Sequence, residues 1–297
     1  MTEAETATAI KEARLAKPPN WFQIIWSSGK ARVGLILLGL FVIMAIAAPL
    51  LSPYDPQDGS FEQLLQPSLE HPMGTTSQGY DILAQFLYGA RLSLLVGLLG
   101  GGFATVLAVV IGLISGYTEG TVVDHALSFV TNLALVVPIL PLMMVIVAYS
   151  ESRGLGLMVF VIGVTSWAGA ARAKRAQIIT LRSREFVTAA KFSGEGTWPI
   201  VFREIMPNMT SLIVSGFIGA ATGAIAAEAG LSFLGFGDPQ TVSWGQMLAF
   251  AQQAGALVQG FWIWLVVPGL ALAVLITALT FVNFGVDLIS NPHLREN

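Results

Sequence analysis

The residue types that carry enzymatic and metal chemistry are scarce in this chain and widely spaced. Its 297 residues include no cysteine and three histidines, His71, His125 and His293, in separate parts of the chain. Without thiolates or clustered imidazoles, we expect neither thiol catalysis nor a cysteine or histidine metal site. The G-x-x-x-x-G-K-[ST] pattern that cradles nucleotide phosphates is also absent from the sequence. We therefore expect a protein that is not an enzyme, with no catalytic residues, no metal ligands and no cofactor of its own.

One stretch, residues 172–208, concentrates charge that could bind a partner. It carries seven lysines and arginines against three acidic residues, a net charge of about +4. Ser183 and Thr197 are placed to cap two short helices, with a turn at Gly194 between them and Pro207 at the end. The pattern predicts a helix–turn–helix element. Two roles remain open for it: amphipathic helices that rest on lipid headgroups, or a docking site for another protein.

Three charged residues fall beside or within apolar sequence. Glu228 lies in the apolar stretch 209–229, and an acid at membrane depth is by default a functional candidate. We favour a structural role for it, in packing the segment 230–245, over ion coupling. Asp81 and Arg91 are predicted to pair near a helix end, where a solvated pair contributes little stability.

The overall composition indicates whether this chain folds in water or in a lipid bilayer. Charged residues make up 11% of the chain and hydrophobic residues 54%, with a mean hydropathy of +0.71, whereas a soluble domain has about 25% charged residues. High hydrophobicity excludes intrinsic disorder, and a net charge of −3 gives no footprint for nucleic acid. The chain is therefore expected to be a polytopic protein of the lipid bilayer.

Six apolar stretches are long enough to cross a bilayer, which takes about 20 residues. They are residues 33–51, 92–116, 126–148, 155–171, 209–229 and 261–285. Pro138 and Pro141 predict a kink in the third stretch. The first is preceded by 32 residues, which is long for a signal sequence, so we expect a retained helix rather than a cleaved signal peptide. The sequence thus predicts an all-α integral membrane domain over residues 33–285.

The placement of lysine and arginine predicts the orientation of these spans. Thirteen of the 15 basic residues fall in residues 1–32, in residues 172–208 and in the tail 286–297. Because basic residues favour the cytoplasmic side, both termini and the 172–208 loop are expected inside. Residues 52–91 are then expected to form a long outer segment.

Within the basic stretch, residues 185–194 read EFVTAAKFSG and residues 205–208 read IMPN. This resembles the EAA loop of ABC-importer permeases, a cytoplasmic loop that contains the coupling helix seated in a groove of the ATPase subunit. Thr188 stands where the family has glutamate and Met206 where it has leucine. The ATPase-coupling residues that the resemblance implies are Glu185, Phe186, Ala189, Ala190, Gly194, Trp198, Ile205 and Pro207.

Three further stretches narrow the resemblance to the peptide/nickel permease family. They are HPMGT with GYD and GARLSL in residues 71–94, AEAGLSFLGFG with SWGQML in residues 227–248, and, more loosely, residues 283–295. The similarity covers roughly residues 30–296 and is greatest to the second-permease, or C, subunits of oligopeptide and dipeptide importers. It implies a motif that shapes the outer gate, formed by Asp81, Arg91, Glu228 and Trp244.

The resemblance also implies a fold, a cellular location and a set of partner subunits. The fold would be the type I ABC-importer permease fold with six transmembrane helices, in a bacterial or archaeal cytoplasmic membrane. The partners would be a homologous second permease, two ATPase subunits or domains, and an extracytoplasmic solute-binding protein. ATP and Mg would be bound by the ATPase partners, not by this chain, which would form half of an alternating-access pathway.

The substrate stays open at this point. The family implies di- or oligopeptides first, with nickel, opines and cello-type oligosaccharides as alternatives. A nearly uncharged pathway favours a neutral solute over a bare metal ion. Trp262 and Trp264 are expected in an interfacial belt, although stacking on a sugar is an alternative for them. An ion-coupled secondary transporter that uses Glu228 would more usually show internal repeats, and none is evident.

Overall fold

The computed structural model describes Trp26 and residues 28–151 and 153–290. Apart from an isolated β-bridge between Thr75 and Asp81, the regular structure in this part of the chain is helical, as predicted. The longer helices are α1 (Gly29–Leu51), α2 (Ile82–Tyr117), α3 (Val122–Val136), α4 (Ile139–Ala148), α5 (Leu155–Ser166), α6 (Ala168–Arg182), α7 (Glu185–Phe192), α8 (Thr210–Phe233), α9 (Trp244–Gln253) and α10 (Trp262–Ser290). Most of the predicted terminal segments 1–32 and 286–297 lies outside the described residues.

Four continuous helices and two bent pairs make up the six predicted spans. Helices α1, α2, α8 and α10 are each long and apolar enough to cross a membrane. The pairs α3–α4 and α5–α6 pass the same test only together, and they bend by 87° and 47°. Counted as one span each, the pairs bring the total to six.

The bend between α3 and α4 is much sharper than the predicted kink. Val137 is extended, with φ −73° and ψ 128°, which is the conformation that a following proline favours. Pro138 then occupies the N-cap position of α4, and without an N–H it cannot continue the hydrogen bonds of α3. Because α4 has 10 residues, it extends about 15 Å, half the thickness of the apolar core of a bilayer.

The helix of the fourth predicted span continues beyond its predicted end. Residue 171 was expected to be the last in the helix, yet α6 continues to Arg182. Its charged residues find partners on neighbouring helices: Arg175 with Asp124, and Arg182 with the carbonyl oxygen of Tyr117. The first third of the predicted loop 172–208 is therefore helix.

Helix α2 lies at the centre of the packing, and two of its glycines allow its neighbours to approach. A Cβ atom at Gly101 would stand 2.5 Å from the amide nitrogen of Ala221 on α8. A Cβ atom at Gly112 would stand 2.8 Å from the carbonyl oxygen of Ala171 on α6. Such contacts are tighter than any larger residue tolerates, so α8 and α6 pack backbone to backbone against α2.

The tryptophans at the start of α10 do not share one environment. Trp264 is fully buried in the core that joins α10 to α2 and α9. Trp262 is 54% exposed. The expectation that both belong to an interfacial belt is wrong for Trp264, because its ring fills the space between helices.

The two ends of α2 define two faces of the molecule. At its Ile82 end lies the segment 52–81, which carries five acidic residues and no lysine or arginine; we call this end the acidic face. At its Tyr117 end, the guanidinium of Arg182 donates to the carbonyl oxygen of Tyr117 at 2.7 Å. Residues 183–209 follow there, and we call this end the basic face.

Arg91 supplies a hydrogen-bond donor that a proline removes from α1. Pro49 lies inside α1 and has no N–H, so the carbonyl oxygen of Ala45, four residues earlier, loses its helical donor. The Nε atom of Arg91 donates to that oxygen at 2.6 Å, and its guanidinium lies 4.9 Å from the ring centre of Tyr88. The predicted pairing of Arg91 with Asp81 is wrong, because the guanidinium serves the backbone of α1 instead.

This arrangement makes a stability prediction. Replacing Arg91 by methionine leaves the buried oxygen of Ala45 without a donor, and we expect a loss of about 1–3 kcal/mol in the free energy of unfolding. In a Pro49→Ala background the restored N–H of residue 49 serves that oxygen, so the same replacement is expected to cost clearly less. Reversible unfolding in detergent measures the double-mutant cycle. Equal losses in the two backgrounds would contradict the assignment.

Candidate functional site

The basic stretch folds as the predicted helix–turn–helix element. Helix α7 is followed by a turn and then by one unbroken helical path into α8. That path changes its winding on the way: a single α turn at Thr197–Pro199, a wider π turn at Ile200–Ile205 and a tighter 3-10 turn at Pro207–Met209. We call residues 185–209 the loop element.

The turn at Gly194 has the geometry of a helix C-cap. Gly194 has φ +83°, a left-handed conformation that suits a residue without a side chain. Its N–H donates to the carbonyl of Lys191, and the N–H of Glu195 donates to the carbonyl of Ala190. These two bonds form a Schellman motif, so α7 is closed by backbone groups of its own chain.

The N-caps of two helices each lie one residue away from the predicted position. The hydroxyl of Ser183 donates back to the carbonyl of Thr180 at 2.9 Å and so terminates α6, while Arg184 precedes α7 without a side-chain cap. Gly196, not Thr197, occupies the N-cap position of the second helix. Helix α7 thus begins one residue later than Ser183 predicts, and the second helix begins one residue earlier than Thr197 predicts.

One side of the loop element is anchored in the transmembrane core. Val187, Ile200, Val201, Ile205 and Met209 are at most 2% exposed and pack against residues of α2 and α6, among them Leu113, Ile178 and Leu181. Ile205, one of the expected ATPase-coupling residues, is fully buried and belongs to this core. The loop element is therefore attached firmly to α2 and α6.

The other side presents aromatic rings to the surroundings. Phe192 is 88% exposed, Trp198 65%, Phe202 56% and Phe186 36%; we call these four residues the aromatic face. The rings of Trp198 and Phe202 stack with centroids 5.8 Å apart. Glu185, Ala189, Gly194 and Pro207 are also exposed, and Ala190 is half-buried. Exposed aromatic rings are typical of a surface that contacts another protein or a membrane.

On the acidic face, Asp81 organises the start of α2. One carboxylate oxygen accepts from the N–H of Ala84 at 2.7 Å and caps the helix. The other lies 2.8 Å from Nδ1 of His71, whose ring packs against those of Tyr54 and Phe61. Asp81 therefore fastens the 52–81 segment to α2.

Trp244 and Glu228 are also buried. The indole N–H of Trp244 donates to the carbonyl of Phe86 at 2.9 Å, which attaches α9 to α2. One carboxylate oxygen of Glu228 accepts from the hydroxyl of Ser232 at 2.8 Å. In the described structure, each residue of the predicted outer-gate motif contacts a different group: Asp81 contacts His71, Arg91 the backbone of α1, Glu228 Ser232, and Trp244 the backbone of α2.

A polar cluster joins three helices near the basic face, and sequence analysis missed it. Two guanidinium nitrogens of Arg175 on α6 donate to the two carboxylate oxygens of Asp124 on α3, each at 2.8 Å. Ser115 on α2 donates to the same carboxylate at 2.6 Å. A paired guanidinium and carboxylate fix geometry strongly, so α2, α3 and α6 are held together here. No sequence signal links residues 51 positions apart.

Comparison with known proteins adds independent evidence. Residues 108–296 match the family described as binding-protein-dependent transport system inner membrane component. Residues 29–67 match the N-terminal transmembrane domain of oligopeptide transport permease C.

Named relatives agree with these matches. The chain is 34% identical to a peptide permease protein of Brucella suis, over 89% of this chain and 87% of that one. It is 29% identical to the dipeptide transport system permease protein DppC of Bacillus subtilis, over 98% and 90%. It is 36% identical to the oligopeptide transport system permease protein OppC of Mycobacterium tuberculosis, over 74% and 76%.

The turn of the loop element yields a local prediction. Gly194→Val places a β-branched residue in the left-handed region, at a cost of about 1–2 kcal/mol. We expect the amide of residue 195 to exchange with deuterium about tenfold faster. Gly196→Val is the matched control, because Gly196 has φ −72° and a Cβ there meets only Pro199, at 3.8 Å. Equal exchange in the two variants would show that the turn does not depend on Gly194.

Proposed function

The chain belongs to the family of binding-protein-dependent transport system inner membrane components, and on that premise we propose that it is one of two permease subunits of an ATP-driven peptide importer. As an OppC/DppC-like ABC permease, it is a non-catalytic, multi-pass component of the inner membrane. Its specific partners, its orientation and the roles of its residues belong to the proposal.

The distribution of charge supports placing the basic face in the cytoplasm. Arg182, Arg184, Lys191 and Arg203 lie there, whereas the segment 52–81 at the acidic face carries only acidic charge. Lys30, near the start of α1, lies 4.9 Å from the ring centre of Phe284, near the end of α10. In this orientation both ends of the transmembrane domain are cytoplasmic, and a solute-binding protein docks on the acidic face.

The loop element carries the proposal. Its buried side is attached to α2 and α6, and its aromatic face is free to enter a groove on an ATPase subunit. When ATP closes the ATPase pair, displacement of the aromatic face is transmitted to α2 and α6, because the buried side of the loop element is packed tightly against both helices. ATP and Mg stay with the ATPase partners. This is coupling through one element that both sites bias.

Peptides are the proposed cargo. The relatives that cover most of this chain are named for peptide, dipeptide and oligopeptide transport. Trp264 gives no support to sugar stacking, since its ring is fully buried. We therefore retain peptide import and propose no second substrate class.

An exchange of one aromatic residue tests the docking role. Trp198→Ala removes a 65% exposed ring that we place in the ATPase groove, and a buried tryptophan anchor is commonly worth 2 kcal/mol or more. We expect the recovery of ATPase subunits with the affinity-tagged chain to fall at least tenfold. The melting temperature of the isolated chain in detergent is expected to stay unchanged, because the ring contributes to no core.

Trp262→Ala is the matched control for that experiment. Trp262 is also a tryptophan, 54% exposed, but it stands at the acidic end of α10. This variant is expected to recover ATPase subunits at the level of the unmodified chain. Equal loss in both variants, or no loss in either, would contradict docking through the aromatic face.

A further inference from the structure

A lysine is buried within the transmembrane domain without a counter-charge. Lys174, in the middle of α6, is 2% exposed. Its stem passes Gly112 of α2, where an added Cβ would lie 2.9 Å from the Cβ of Lys174. Among the described residues, none forms a hydrogen bond or an ion pair with its ammonium group. A buried ammonium without an anion is costly, so its presence needs an explanation.

The ammonium group lies beside Gly216, a residue that lines a groove. Gly216, Gly219 and Gly223 of α8 share a helix face by their spacing and line a groove of about 560 Å³ between α8 and α4. A Cβ at Gly219 or Gly223 would meet nothing within 4 Å, whereas a Cβ at Gly216 would lie 2.9 Å from Nζ of Lys174. The groove is thus open along its length, and Nζ of Lys174 lies next to Gly216, one of its lining residues.

The walls of the groove identify the kind of molecule that fits. None of its lining residues is charged, and one hydroxyl, that of Ser166, is the most polar side chain among them. A wall of glycine and alanine leaves room for side chains of many shapes. A single cation beside such a groove would fix one anionic end of a solute and leave the remainder unselected.

We propose that Lys174 binds a carboxylate in this groove, namely the C-terminal carboxylate of a peptide in transit. This inference rests on the proposed function, because it takes peptides as the cargo. An ammonium group is a compact point charge that pairs with a carboxylate without a fixed geometry, which suits a ligand that must bind and then leave. The same carboxylate chemistry could come from an acidic side chain of the second permease, and the experiment separates the two sources.

The test uses the whole transporter, purified through the tagged chain and reconstituted in proteoliposomes with its solute-binding protein. One peptide is supplied as the free acid and as the C-terminal amide, each at a concentration that saturates the binding protein, so that capture does not limit uptake. The unmodified transporter is expected to import the acid at least tenfold faster. Lys174→Met is expected to bring that ratio to about one by slowing uptake of the acid. Lys174→Arg keeps the preference, as does the control Lys30→Met.

Each contrary result has a distinct meaning. Uptake of neither form would contradict peptide import itself. Equal uptake of both forms by the unmodified transporter would overturn the role of Lys174. Loss of the second permease on purification of Lys174→Met, or a lower melting temperature, would mean that a subunit supplies the carboxylate, and this also overturns the inference. We expect an equal or higher melting temperature, since the variant removes an uncompensated buried charge.

Discussion

Direct backbone contact between α2 and its neighbours is the constraint on which the rest of this structure depends. Glycines on α2 admit α8 on one side and α6 on another at distances that no side chain would allow. In a bilayer, where apolar side chains gain nothing by leaving lipid, such close packing is a main source of helix association. Because α2 has 36 residues, it extends about 54 Å and connects the acidic face to the basic face. A displacement of α6 or α8 at one face is therefore transmitted through the rigid helix α2 to the other face.

The polar groups of the structure are arranged to protect this packing. Arg91 supplies the donor that Pro49 removes from α1, Asp81 caps the first turn of α2, and Asp124 binds Arg175 between α3 and α6. Each interaction supplies a partner to a backbone group or to a charge that would otherwise be unpaired inside the helix bundle. Where water is absent, such groups must be satisfied inside the chain. In the part of the chain that the structure describes, the Lys174 ammonium has no anionic partner, and this makes it informative.

Local features of this fold could be predicted from the sequence, and contacts between distant segments could not. Apolar runs place the six spans, and the glycine at residue 194 places the turn, because both depend on short stretches of chain. The 87° bend at Pro138 exceeds the predicted kink, since a proline fixes where a helix stops but its neighbours decide the angle. Residues 172–182 were predicted to be loop because their charge indicates water, whereas Arg175 and Arg182 find partners on other helices. Ile205 matched a motif but lies in the core, so motif membership alone did not separate buried from exposed positions.

The central claim is that the aromatic face docks on an ATPase at the cytoplasmic end while the acidic face meets the solute-binding protein. The most direct measurement is site-directed photo-crosslinking in native membranes, which the chain permits because it has no cysteine of its own. A maleimide photo-crosslinker is attached to Phe192→Cys or to Leu69→Cys, at exposed positions on opposite faces. The account predicts ATPase adducts from residue 192 and binding-protein adducts from residue 69. Adducts of residue 192 with lipid alone, or with the binding protein, would contradict it.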